Sequence, residues 1–183
     1  ECVISFDEEY SKEFLRRNHL GMNDKFLGIH MGTGPRWSSK AWSKDKVIEF
    51  IKKINNYNII LFAGPNEADN QREIVKTLNN SGIKIYTSDP NNSLRDFISL
   101  VNLCDVMIVN DSLSLHVSIA LKKKTIALFF CTPPWEIEDY GRVKKIVSPL
   151  LGNYFYTDEY VEELVNSISV EEVYETLKTF LNN

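Results

Sequence analysis

Short apolar runs alternate with amphipathic stretches along most of the chain. Continuous apolar runs rich in β-branched residues are typical of parallel strands that are buried on both faces. We therefore predict a parallel sheet of about six strands. The predicted strands are Phe26–Met31, Asn58–Phe62, Ile83–Tyr86, Val106–Val109, Thr125–Phe130 and Val143–Val147.

Between these runs, apolar residues recur at helical spacing, as on one side of an amphipathic helix. Gly21 is predicted to end the first helix, and another helix is expected from Glu67 to about Asn80. Strands that alternate with such helices form a right-handed parallel sheet covered on both faces, so we predict a three-layer α/β/α, Rossmann-like domain. Helix N-cap residue types precede these stretches: Ser5 or Asp7, Ser43, Ser93, Ser112 and Ser169.

Composition and charge narrow the function classes. The chain has 183 residues, of which 43% are apolar and 25% charged, as in an ordinary soluble domain. Its net charge of −4 argues against nucleic acid or an anionic membrane surface as the main partner. Cys2, Cys104 and Cys131 are odd in number and widely spaced, which argues against a disulfide framework or a zinc site. Cys104 and Cys131 stand in apolar surroundings and are expected to be core residues.

The start of the chain and the length of its apolar runs indicate the cellular setting. No apolar run is long enough to span a membrane, and Glu1 with the acidic cluster at 7–9 replaces the basic start of a signal peptide. We therefore expect a cytoplasmic protein. The missing initiator methionine leads us to expect a piece of something longer.

The stretch Val106–Phe130 is the most informative, because it predicts a strand, a helix and a second strand. Asp111 and Ser112 form a polar turn between the first strand and the helix, where free N–H groups and the helix dipole suit an anion. His116 lies about one turn further, so its ring can face the same crevice. An ordinary cap and a surface histidine would give the same pattern. In open parallel sheets ligands bind at the strands' carboxyl ends, which favours nucleotide binding here.

Four segments resemble glycosyltransferase family 9, the bacterial heptosyltransferases of lipopolysaccharide core assembly, in the family's order. The resemblance covers about residues 3 to 150. It implies the carboxyl-terminal, donor-binding half of a GT-B glycosyltransferase, with residues 1–25 leading into a domain at 26–183 and the amino-terminal acceptor domain absent. The four segments are His30–Gly32 with Lys40–Ser43, Leu61–Pro65 with Glu67, Ser93–Leu94 leading to Cys104–Asp105, and Asn110–Ser112 with His116 and Ala120–Leu121.

The resemblance implies a role in donor binding for a set of matching positions. Lys40 is expected to neutralise charge on the leaving diphosphate. Ser112 and the N–H groups that follow it would hold the diphosphate, whereas Asp111, which phosphate would repel, would cap the helix or hold a sugar hydroxyl. The implied donor-binding residues are Thr33, Ser39, Lys40, Gly64, Glu67, Ser93, Leu94, Asp111, Ser112, Leu113 and His116.

The other positions have both a functional and an ordinary interpretation. Glu67 would accept from ribose hydroxyls, although a glutamate at a helix start is also favoured by the dipole. His116 would donate to phosphate or sugar. Three loop residues are candidate phosphate contacts: Thr33, Ser39 and Arg36. Polar side chains in loops are also often simply exposed to water. A single tryptophan can stack on a base or sugar, but more often it packs against other side chains of the protein. This applies to Trp37, Trp42 and Trp135.

The chain departs from the family pattern at several positions. Leu113 replaces a glycine that would let phosphate approach the backbone closely, and Ser114 replaces a proline. Lys122–Lys124 replaces a more usual glycine and proline, and the turn before Lys40 is long. These differences bear on donor identity and on the tightness of donor binding.

The resemblance implies an inverting transfer without a covalent intermediate, from an ADP-linked heptose to a lipopolysaccharide core or related acceptor. The general base would lie in the missing domain, so the isolated chain is expected to bind nucleotide weakly and to transfer no sugar. The chain contains no Asp-x-Asp motif, so neither a metal ion nor another cofactor is expected. Peripheral association with the inner membrane is left open.

Two alternatives belong to other function classes. A non-catalytic nucleotide-binding or regulatory domain would be consistent with Leu113 in place of glycine. A dinucleotide-dependent oxidoreductase is disfavoured, because Gly32-Thr33-Gly34-Pro35 lacks the third glycine of the phosphate-binding fingerprint.

Overall fold

The computed structural model describes residues 4–54 and 57–181. The sequence also predicts a short extended piece at Cys2–Phe6, of which Cys2 and Val3 lie outside the described residues. The strands are β1 (Phe26–His30), β2 (Asn58–Phe62), β3 (Tyr86–Thr87), β4 (Val106–Asn110), β5 (Lys124–Phe129) and β6 (Val143–Val147). The helices are α1 (Glu8–Arg17), α2 (Lys44–Lys53), α3 (Ala68–Asn80), α4 (Leu94–Leu103), α5 (Leu113–Ala120), α6 (Glu162–Val165) and α7 (Val170–Leu181).

The six strands form one sheet in the order β3-β2-β1-β4-β5-β6, and each neighbouring pair is parallel. The chain moves outward from β1 to β3, returns to the centre and continues outward from β4 to β6. The strand order therefore reverses between β1 and β4, which pair from Leu27 with Val106 to His30 with Val109. This arrangement confirms the predicted Rossmann-like α/β fold, which places a binding crevice beyond the carboxyl ends of β1 and β4.

Each face of the sheet is covered by its own hydrophobic core. On one face, α2, α3 and α7 pack on alternate strand residues such as Leu27, Leu61 and Ile108. On the other face, α1, α4 and α5 pack on the intervening residues, among them Phe62 and Met107. Because successive side chains of a strand point to opposite faces, strands that are apolar at every position supply both cores.

The predicted helix caps are largely as expected. Asp7, rather than Ser5, caps α1 by accepting from the backbone N–H of Glu9 at 2.9 Å. Ser43 and Ser93 cap α2 and α4, and Ser169 accepts from the N–H of Glu172 at the start of α7. A side-chain oxygen at the N-cap stabilises a helix by about 1 kcal/mol.

Two predicted boundaries are wrong. Helix α1 ends at Arg17 rather than near Gly21, because His19 adopts the left-handed conformation at φ 55° and the N–H of Leu20 closes the helix on the Leu15 carbonyl. Strand β3 pairs only at Tyr86 and Thr87, not from Ile83. The Ile83 N–H instead bonds to the Leu78 carbonyl and ends α3.

The hydrophobic pattern does not predict the shortest helical elements. Helix α6 has four residues, and short 3-10 turns form at Pro35–Lys40, Pro65–Glu67, Pro134–Glu136 and Leu151–Asn153. Periodicity needs longer windows to be visible. Cys104 and Cys131 are buried free thiols, as predicted. Among the described residues, the helices are too short or too polar to cross a bilayer.

Gly28, in the middle of β1, is tightly surrounded on the α4 side of the sheet. A Cβ atom there would lie 2.2 Å from the Met107 sulfur and 2.9 Å from the Cys104 sulfur. Both side chains are fully buried, so they have little room to move away. A glycine at this position lets the central strands and α4 pack closely.

We expect Gly28→Ala to lower the free energy of unfolding by about 1–3 kcal/mol, because overpacking forces buried side chains off their preferred positions. Urea denaturation monitored by circular dichroism measures the change. Gly21→Ala is the matched control, since its Cβ would meet only Asp24 at an ordinary 3.7 Å. Equal stability of the two variants would contradict the close packing assigned to Gly28.

Candidate functional site

The candidate site lies where the loops after β1 and β4 meet. Asn110, the last residue of β4, donates its side-chain N–H to the Met31 carbonyl at 2.9 Å and so joins the two loops. The loop after β1 runs to Lys40, and the loop after β4 contains Asp111 and Ser112. The side chains predicted from these two loops therefore lie at the reversal of strand order.

An ion pair joins the two loops. Lys40 Nζ donates to Asp111 Oδ2 at 2.9 Å, and the two side chains are 15% and 19% exposed. The Trp37 ring covers the ammonium group, with its centroid 5.1 Å from Nζ, within the range of a cation–π contact. Asp111 thus pairs with Lys40, rather than capping α5 as one of its predicted roles required. The arrangement holds the Lys40 ammonium group, partly removed from water, at the switch point of the sheet.

Helix α5 begins directly beside this pair. Ser112 occupies its N-cap position in an extended conformation, and its hydroxyl lies 2.9 Å from the Ser114 hydroxyl rather than on the helix's own N–H groups. The first N–H groups of a helix have no partners within the helix and carry a partial positive charge. Leu113 is 58% exposed, so its side chain forms part of the surface around the site.

Two adjoining cavities flank the start of α5 and share Leu94 and Leu113 as walls. The larger, of about 380 Å³, is mostly apolar and includes His116. The smaller, of about 290 Å³, includes Gly64 and His30. The structure thus brings four predicted donor-binding residues together: Gly64, Leu94, Leu113 and His116. Their shape and apolar lining suit a flat organic group more than a free phosphate.

Glu67 braces two of the surrounding loops. Its carboxylate accepts from the backbone N–H of Gly64 at 3.1 Å and of Gly34 at 3.4 Å. A Cβ at Gly32 or Gly64 would approach the carboxylate to about 3 Å, so the glycines give it room. Glu67 and Thr33 line a third cavity of about 630 Å³. A carboxylate has further lone pairs, so this one can still accept from ligand hydroxyls.

Three predicted hydroxyl contacts need correction or restriction. Ser39 is completely buried, and its Oγ donates to the Glu159 carbonyl and accepts from the Val161 N–H, which argues against a phosphate contact. The Ser93 hydroxyl is engaged with Asp96 in the capping box of α4. Thr33 Oγ1 donates to the Trp37 carbonyl at 2.8 Å and retains only its capacity to accept.

The three tryptophans have three different environments. Trp42 is buried, and its indole N–H donates to the Ile168 carbonyl, so it is a packing residue. Trp37 lies against Lys40 and Arg36, with the Arg36 guanidinium carbon 5.2 Å from its ring centroid. Trp135 is 70% exposed.

His30 is a residue of the site to which sequence reasoning gave no role. Its Nδ1 is buried and has no hydrogen-bond partner among residues 4–54 and 57–181, and its ring contacts Phe97 edge-on at 5.7 Å. Burial lowers the pKa of His30 to about 4, so the ring is neutral at pH 7. The available signal was its place at the carboxyl end of the first core strand, two residues before Gly32.

No group of three or more His, Cys, Asp and Glu side chains is arranged to hold a metal ion in the part of the chain that the structure describes.

His30 makes stability depend on pH. Its pKa is about 4 in the folded chain and about 6.5 when unfolded, so between these values the unfolded chain binds more protons and stability falls as the pH is lowered. We expect wild type to lose up to roughly 3 kcal/mol more than His30→Gln between pH 7 and pH 4. Urea unfolding at several pH values measures how the free energy of unfolding depends on pH. The His19→Gln variant, changed at an exposed histidine, is the control. Equal pH slopes in wild type and His30→Gln would refute the assignment.

Comparisons with known proteins bear on the family and the fold. The family model described as glycosyltransferase family 9 (heptosyltransferase) matches residues 4–157. Lipooligosaccharide heptosyltransferase 2 of Campylobacter jejuni is 27% identical over 148 residues, which cover 76% of this chain and 44% of the relative. The chain thus spans less than half the length of this curated relative.

Solved structures show the same fold. The ADP-heptose lipopolysaccharide heptosyltransferase II of E. coli superposes with a TM-score of 0.75 at 19% identity, covering 98% of this chain and 53% of that one. The E. coli heptosyltransferase WaaC, solved with ADP-2-deoxy-2-fluoro heptose, gives a TM-score of 0.66 at 16% identity, covering 92% and 47%. The fold is that of a GT-B glycosyltransferase domain. The match over residues 4–157 shows that the chain belongs to glycosyltransferase family 9, the heptosyltransferase family.

Proposed function

We propose that this chain is the donor-binding domain of an inverting glycosyltransferase that transfers heptose from an ADP-linked donor to a lipopolysaccharide core or related saccharide. The observation that carries the proposal is the Lys40–Asp111 pair at the strand switch point. Asp111 directly precedes Ser112, the N-cap of α5, and stands two residues before Leu113, which borders both cavities. A diphosphate at the ion pair and helix start would leave the nucleoside facing the cavities.

The donor is proposed from the structural relatives. Two structures of the E. coli enzyme WaaC are described with ADP and with ADP-2-deoxy-2-fluoro heptose. Their identity to this chain is 16%, which supports the fold, so the ADP-heptose donor is carried over as part of the proposal. The apolar cavities beside Leu94 and Leu113 suit the flat adenine base.

The chemistry assigned to this chain is stabilisation of the leaving group. As the bond from the anomeric carbon to phosphate breaks, negative charge grows on the diphosphate, and the Lys40 ammonium neutralises it. Lys40 Nζ donates to Asp111 Oδ2 at 2.9 Å, and in this proposal part of that contact is given up to the donor's phosphate. Its carboxylate is then free to accept from a hydroxyl of the transferred sugar. The general base that deprotonates the acceptor belongs to an amino-terminal domain in this proposal.

Further parts of the proposal concern the whole enzyme. The isolated chain binds nucleotide and transfers no sugar, because it lacks the base. Catalysis requires no divalent ion, since Lys40 and the start of α5 supply the positive charge. We propose a cytoplasmic enzyme whose glycolipid acceptor brings it to the inner face of the inner membrane.

Calorimetric titration of the chain with ADP tests the donor site. Lys40→Ala is expected to weaken ADP binding by about ten- to a hundredfold, because a charge-assisted bond is lost and Asp111 is left to repel the phosphates. The exposed Lys52→Ala is the matched control and should bind like wild type. UDP and GDP in place of ADP test the choice of base. Equal ADP affinity of Lys40→Ala and Lys52→Ala would contradict the proposed site.

The alternative is a nucleotide-binding domain without transfer activity, favoured by Leu113 in place of the family glycine. Leu113→Gly is expected to strengthen ADP binding severalfold, because the shared wall of the cavities retreats and phosphate can approach the backbone. Leu113→Ala, which trims the same side chain but keeps a Cβ beside the backbone, is the matched control. Unchanged affinity in Leu113→Gly would show that the leucine does not limit donor binding.

A further inference from the structure

Three exposed aromatic side chains lie against one another in the loops that follow β5 and β6. Trp135, Phe155 and Tyr156 are 70%, 41% and 50% exposed. Proteins normally bury such residues, because each removes roughly 150–250 Å² of surface from water. The donor site described above does not use them. We call these three residues the aromatic platform.

The platform has a defined shape. The rings of Trp135 and Phe155 are nearly parallel, with an interplanar angle of 14° and centroids 5.8 Å apart. The Tyr156 ring meets Phe155 edge-on, at 4.5 Å and 75°. Stacked and edge-on contacts are the preferred geometries of aromatic pairs. The cluster therefore presents flat ring surface to solvent.

The platform is held in place by the backbone beneath it. Tyr156 has a left-handed conformation at φ 57°, which is costly for a non-glycine residue, and its N–H donates to the Cys131 carbonyl at 2.8 Å. The Tyr156 hydroxyl donates to Glu136 at 3.1 Å. Pro134 precedes Trp135 and fixes the chain at that point. A surface ordered in advance binds a ligand at a smaller entropic cost.

Two contacts join the platform's loops to the Lys40–Asp111 pair. The buried Ser39 hydroxyl, next to Lys40, bonds to the backbone of Glu159 and Val161 beyond Tyr156. The platform is thus continuous with the proposed donor site.

The charges beside the platform restrict what it can bind. Glu136 touches the platform through Tyr156, and Asp158 and Glu159 follow Tyr156 in the same loop. These carboxylates accept hydrogen bonds from hydroxyl groups and repel phosphates. A nucleobase would bring its phosphates with it. The combination of flat apolar rings with hydroxyl acceptors fits a neutral sugar ring, which has C–H groups on its faces and hydroxyls at its edge.

We infer that Trp135, Phe155 and Tyr156 form a stacking site for the saccharide acceptor, on the same edge of the domain as the donor. Stacking positions one sugar face on the rings, and the neighbouring carboxylates orient its hydroxyls. The acceptor role rests on the proposed function, whereas saccharide binding by the platform can be measured by itself.

The test uses the 183-residue chain and a lipid-free, heptose-containing core oligosaccharide, with binding followed by saturation-transfer NMR and calorimetry. Trp135→Ala and Phe155→Ala are expected to weaken oligosaccharide binding by about fivefold or more, because each removes one ring of the stack. Trp135→Phe keeps a ring and should retain most of the affinity. Met22→Ala removes a side chain that is 69% exposed in the loop before β1 and should bind like wild type.

The outcomes separate this inference from the proposed function. If wild type binds ADP but not the oligosaccharide, or if Trp135→Ala binds the oligosaccharide as wild type does, the platform is not a saccharide site and the donor site stands. If the oligosaccharide binds through Trp135 while ADP does not bind, the donor site fails and the platform stands. A Trp135→Ala variant that loses only its association with a separately added amino-terminal half would make the platform a domain interface and overturn the inference.

Discussion

Parallel strands cannot be joined by tight turns, and this constraint determines where the molecule can have a site. All six strands run the same way, so each connection must return along the sheet as a helix or a long loop. The carboxyl ends of the strands therefore lie together at one edge. The residues to which we assign functional roles follow those ends: Lys40 after β1, Glu67 after β2, Asp111 after β4, and Trp135 after β5. The two apolar cores hold this edge rigid.

The ion pair at the centre of this edge is a poor way to gain stability. Removing Lys40 and Asp111 partly from water costs free energy that their attraction only about repays. Such a pair makes better sense as a device that keeps a cation in position and available. The loop geometry supports this view, since the Trp37 ring covers the ammonium from one side and the Asn110–Met31 bond ties the flanking strands.

Local pattern predicted the elements well and the side-chain contacts poorly. Apolar runs located β2 and β6 to the residue, because a strand buried on both faces leaves a continuous signal in the sequence. The predicted start of strand β3 at Ile83 is wrong, because the Ile83 N–H bonds to the Leu78 carbonyl at the end of α3. The sequence predicts Ser39 as a candidate phosphate contact, since a loop serine is ordinarily exposed. Its burial depends on residues about 120 positions later, which no local pattern reveals. His30 differs, because its place at the carboxyl end of the first core strand is visible in the sequence, whereas its contact with Phe97 is not.

The contacts of Ser39 and Trp42 bear on the limits of the folding unit. The family match ends at residue 157. Ser39 nevertheless bonds to the backbone of Glu159 and Val161, and the buried Trp42 indole donates to Ile168. We therefore expect the loop that carries Lys40 and the segment beyond the match to open and close together, with shared hydrogen-exchange protection. The stretch that the family model matches is shorter than the stretch whose contacts hold the lysine loop in place.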